Sequence, residues 1–138
     1  MIQRIQTIYL LLVTIACVVF IFIPFGLQLK PDETAEILIA KNYMSDMVGA
    51  LLIAVLAFAS IFLFTNRKLQ MKVVLLNSLL SLLYMAFLAY GIFQHVGLSN
   101  YGFKIGAILP VFIFIFNVLA YAGIKSDENL VRSMDRLR

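Results

Sequence analysis

The sequence predicts an all-α integral membrane protein, a four-helix up-down-up-down bundle with both termini in the cytoplasm and a short amphipathic tail. Three observations lead there. Of the 138 residues 63% are apolar and only 13% charged, with a mean hydropathy of +1.01; soluble domains run at about 45–50% apolar and about 25% charged. Four stretches, 5–29, 47–65, 73–93 and 105–124, hold no Asp, Glu, Lys, Arg or His. The charges that remain fall between those stretches and divide unevenly across them.

Each stretch matches the roughly 20 residues a helix needs to cross about 30 Å of hydrocarbon. Only helices and closed barrels satisfy their own backbone in lipid, so four stretches predict four helices. The connections at 30–46, 66–72 and 94–104 are short, which makes successive helices antiparallel.

Orientation follows from Lys and Arg, which are retained on the cytoplasmic side. One side collects Arg4, the 66–72 loop (Arg67, Lys68, Lys72) and the tail (Lys125, Arg132, Arg136, Arg138). The other has Lys30, Lys41 and Lys104, a balance of eight to three. Both ends are therefore expected inside, in the cytoplasm.

The first stretch has a positive start, and Thr14-Ile15-Ala16-Cys17 loosely resembles a lipidation signal. The apolar run continues past the cysteine through Phe22, whereas a processing site closes its apolar region. Cys17 reads as a small side chain within a helix. A single cysteine also excludes an internal disulfide and a multi-cysteine metal site.

Charge-free spans argue against pumps and proton-coupled carriers, which need ionisable groups at depth. His95 stands alone at the end of the third stretch, and no nucleophile, metal-ligand or phosphate-binding motif is present. The expectation is therefore no enzyme, no cofactor, no metal and, without a basic patch interleaved with aromatics, no nucleic-acid partner. The bilayer and a membrane-protein partner are the expected surroundings.

Polar residues do occur at depth. Asn77, Ser81 and Tyr84 share one face of the third helix, and Asn117 and Tyr121 one face of the fourth. These faces should turn toward protein, for interhelical hydrogen bonding or for a polar cleft. Ala50, Ala54 and Ala57 form a smooth strip, Gly102 and Gly106 a GxxxG, and Pro110 should kink the fourth helix. In the first loop, Ile37-Leu38-Ile39 between Glu36 and Lys41 suits a short element on the outer headgroup surface.

The tail reads KSDENLVRSMDRLR. Ser126 is placed to cap a new helix, with Asp127 and Glu128 in its first turn and arginines in its last. Leu130, Met134 and Leu137 would line one face, and Arg132, Arg136 and Arg138 would meet a partner or anionic lipid. The opening MIQRIQTIYLLL and the closing DENLVRSMDRLR resemble a family of small four-span proteins of Bacteroidota described as a domain of unknown function. The resemblance implies four spans and an inner-membrane location, and brings no activity, cofactor or catalytic residue.

Two functional readings follow: a non-enzymatic accessory or scaffold subunit of a larger inner-membrane complex, or a carrier for a lipid or small neutral solute that uses the Asn77 and Asn117 faces.

Overall fold

A computed structural model describes residues 3–29 and 34–135. Four helices dominate: α1 (Gln3–Phe22), α2 (Met44–Phe62), α3 (Arg67–Gly91) and α4 (Leu109–Asp135). Segments Ile5–Phe22, Met44–Thr65, Arg67–Val96 and Ile105–Val131 are each long and apolar enough to cross a membrane, with mean hydropathies of 2.0 to 2.7. Helix α1 packs on α2 and α4, and α3 packs on the same two.

Specific contacts fix the directions. Gln6 near the start of α1 meets Asp127 near the end of α4. Gln70 at the start of α3 donates to the Ser60 carbonyl at the end of α2, at 3.0 Å. Farther along, the Tyr84 hydroxyl donates to the Asp46 carbonyl at 2.8 Å. Helices α2 and α3 therefore run antiparallel, and both described chain ends lie at one end of the bundle.

The inward residues recur at alternating steps of three and four. On α1 they are Gln6, Leu10, Val13, Cys17 and Phe20; on α4 they are Ile113, Asn117, Ala120, Ile124 and Asp127. This is the spacing that lets straight seams interlock along two helices. Outward positions are also apolar: Ile15, Val55, Phe58, Leu83 and Ile115 are exposed. A helix apolar on every side belongs in lipid or deep within a protein.

Helix α1 stops at Phe22, earlier than the expected residue 29. Pro24 has no N–H to continue the ladder, and it disfavours helix at the residue before it. The charge-free run goes on as a strand, β1 (Pro24–Leu29), whose lack of charge had made it look like more of the span. It pairs antiparallel with β2 (Ala35–Ile39), Leu27 facing Ile37, and with β3 (Tyr101–Phe103), Leu27 facing Gly102. The sheet order is β2-β1-β3. Thus Ile37-Leu38-Ile39 is a strand, and it turns Leu38 inward to 3% exposure. Open sheet edges are not tolerated in hydrocarbon, so this end of the bundle stands in the headgroup layer or water.

Glycines let the sheet close onto the helices. A β-carbon on Gly106 would stand 2.6 Å from the Pro24 carbonyl oxygen, and one on Gly26 would strike the Tyr101 ring. Tyr101 crosses that glycine to donate to the Phe25 carbonyl at 2.7 Å, and burial pushes its phenol above the usual value of 10.0. Gly102 and Gly106 therefore do not form a helical GxxxG; one lies in β3 and the other in the 3-10 turn Ile105–Ile108. The Ala50, Ala54 and Ala57 strip is buried in one core cluster with Val13, Cys17 and Phe20, so the neighbour it admits belongs to this chain.

Three further expectations change. Pro110 sits in the first turn of α4, where a missing N–H costs no ladder bond, so the basis for a kink in the outer third of that helix is gone. Helix α3 begins at Arg67, capped by the Asn66 side chain accepting from the Leu69 N–H at 3.2 Å. Ser126 lies inside α4 and caps nothing: the chain stays helical from the span through Asp135.

Gly106→Ala should lower stability in mild detergent by about 1–3 kcal/mol, the usual range for overpacking. Gly91→Ala is the control, because nothing lies within 4 Å of its would-be β-carbon. Thermal unfolding of the two variants checks this; equal melting temperatures would contradict the close sheet–helix contact.

Candidate functional site

The fully buried polar side chains of the four spans lie along the inward seam. At its middle, Asn77 on α3 and Asn117 on α4 are both fully buried, and the Asn77 Nδ2 donates to the Asn117 Oδ1 at 3.1 Å. One bond links two amides that could exchange two, and the Asn77 Oδ1 and Asn117 Nδ2 have no partner. Such a pair ties α3 to α4 but carries a residual desolvation cost.

The other residues expected on these faces go elsewhere. Ser81 donates to the Ser78 carbonyl at 2.8 Å, and Ser78 to the Leu75 carbonyl at 2.7 Å, so their hydroxyls are absorbed by their own helix. Tyr84 turns to Asp46 of α2, its ring edge-on to Phe20 at 6.2 Å and lying over Gly49. Tyr121 is half-buried against the cluster of Leu10, Val74, Ala120 and Ile124. The structure joins Asn77 to Asn117 and sends the other three to separate partners.

Two cavities lie at the ends instead. At the sheet end a cavity of about 430 Å3 is lined by Gln28, Tyr43, Asp46, Tyr90 and the exposed His95. Among the described residues no group of three His, Cys, Asp or Glu side chains could hold a metal ion. At the termini end a cavity of about 540 Å3 is lined by Gln6, Arg67, Gln70 and Asp127, with apolar walls. Here Gln6, Gln70 and Asp127 are 5%, 5% and 8% exposed, and the Gln6 Nε2 donates to the Asp127 Oδ2.

This buried carboxylate was missed because the fourth span was ended at the first charge, Lys125. The signal was present: Asp127 continues the seam of Asn117, Ala120 and Ile124 with the same spacing. Of the tail residues expected to dock, Leu130 is half-exposed on α4. The side chains of Arg132 and Met134, and all of Arg136, Leu137 and Arg138, lie outside the described residues.

Single Asn77→Leu or Asn117→Leu changes should each cost roughly 0.6–2 kcal/mol, the range for hydrogen bonds between membrane helices. The double change should cost less than the sum, because it leaves no amide stranded. A double-mutant cycle on thermal or denaturant unfolding measures this; strict additivity would show that the two amides are not coupled.

Comparison with curated proteins gives no match, and comparison with solved structures gives none. A family model does match, over residues 2–137, and its description is a domain of unknown function, DUF4293. With nearly its whole length aligned and four apolar helices of spanning length, the chain is a membrane protein that belongs to the DUF4293 family.

Proposed function

We propose that the chain is a non-enzymatic accessory or scaffold subunit of a larger inner-membrane complex, with both termini in the cytoplasm. The observation that supports it is the sealed polar seam. Asn77, Ser81, Tyr84 and Asn117 are all buried, and their hydrogen bonds hold helices together or return to their own helix. A carrier that used the two asparagines would need them to line an open space, and here they close on each other.

The cytoplasmic placement rests on the charge balance, since Arg67, Lys68, Lys72 and Lys125 belong to the termini end. Docking through the tail is suggested by α4, which carries the half-exposed Leu130 at the very end of its apolar segment. Mixed charge near it in the sequence (Lys125, Glu128, Arg132) suits a protein surface better than a purely anionic one.

Reporter fusions after Arg138 and within residues 63–66 should read cytoplasmic, and one at Ser99 external; an external C-terminus would overturn the orientation. Affinity purification in mild detergent should recover a stoichiometric protein partner, and the Leu130→Glu, Leu137→Glu double variant should lose it while still inserting. Recovery of the chain alone from native membranes would contradict the subunit role.

A further inference from the structure

We propose that the cavity at the termini end is a binding site for the headgroup of an aminophospholipid, one bearing a phosphate and a primary ammonium. The proposal holds whether or not the chain has a protein partner.

Three observations carry it. The first is charge. Asp127 is 8% exposed, and among the described residues the donor given to it is the neutral Gln6 amide. A neutral amide supplies no compensating charge to a carboxylate removed from water. The cavity beside it therefore favours a cationic group with N–H bonds to give. The second is the opposite charge on the same cavity: Arg67, half-buried at the first turn of α3, supplies a fork that suits a phosphate. One anion and one cation facing a single space match a zwitterion better than a solute of either sign.

The third is the wall. Ile8, Phe62 and Phe64 line the same cavity and are each more than half exposed. The polar recess therefore continues into an exposed apolar flank that acyl chains could cover. A volume of about 540 Å3 is within the range of small-ligand sites. Gln70 is held to the Ser60 carbonyl, so the floor is fixed before a ligand arrives.

The chemistry discriminates among headgroups. Phosphatidylethanolamine offers three N–H donors to Asp127 and a phosphate to Arg67. Phosphatidylcholine has the charge but no N–H, and phosphatidylglycerol has no cation to set beside the carboxylate.

Native mass spectrometry of the delipidated full chain, titrated separately with these three lipids, tests the site. Phosphatidylethanolamine should bind about tenfold better than either competitor, as one charge-assisted hydrogen bond implies. Asp127→Asn should erase that preference, and Arg67→Gln should weaken phosphatidylethanolamine and phosphatidylglycerol together. Ile8→Trp, at an exposed wall position that leaves the polar groups intact, should weaken phosphatidylethanolamine even if Asp127→Asn fails to fold. Free phosphoethanolamine, without acyl chains, should compete poorly. Equal binding of phosphatidylglycerol and phosphatidylethanolamine, a preference that survives Asp127→Asn, unchanged binding by Ile8→Trp, or efficient competition by phosphoethanolamine would each overturn the proposal.

Discussion

Inside hydrocarbon a polar atom has no water to fall back on, and the arrangement of this bundle depends on that constraint. Each helix places its polar side chains on the stripe that faces its neighbours. Asn77 reaches Asn117, Gln70 reaches the end of α2, and Tyr84 reaches its beginning. Each link is worth little alone, since hydrogen bonds between membrane helices average well under 1 kcal/mol. Their collective effect is on rotation: a helix turned by one position would bring an amide or a hydroxyl to lipid. The alanines of α2 then set how closely α1 can approach.

The same constraint explains where the helices end. Pro24 releases α1 from its ladder, and the freed backbone finds partners in β2 and β3 rather than in solvent. That choice is possible only outside the hydrocarbon, where sheet edges can be hydrated. The small sheet ties two connections into one cap. The loop after α1 and the loop before α4 are joined through Tyr101 and Gly106, which both bear on the Pro24–Gly26 segment.

Much of this was legible in the sequence because hydropathy reports solvent. Four spans, their short connections and the inward turn of Asn77 and Asn117 follow from length and spacing. What misled was reading charge as the sole boundary. Absence of charge carried the first helix across Pro24 into a strand, and the first lysine of the tail cut the fourth helix short of Asp127. Both errors have one physical cause: a helix ends where its backbone ladder is broken, and its buried face ends where the neighbouring helix does. The strand pairings were illegible for a different reason, because β1 and β3 belong to separate loops far apart in the sequence. The termini-end cavity was hidden too, since no local pattern places Gln6, Arg67 and Asp127 together.

A scaffold reading requires a bundle whose interior is dry, with seam polarity spent on cohesion rather than on passage. The native Cys17 reports on this without any substitution, being fully buried among Val13, Ala50, Ala54 and Tyr84. The measurement is the rate at which a water-soluble maleimide labels Cys17 in native membranes, set against a Ser99→Cys variant whose exposed site in the connection after α3 gives the open-water rate. A dry, closed bundle predicts no labelling of Cys17 until the protein is denatured. Labelling at a rate near that of Ser99→Cys would show an aqueous path along the seam, and would contradict the sealed scaffold.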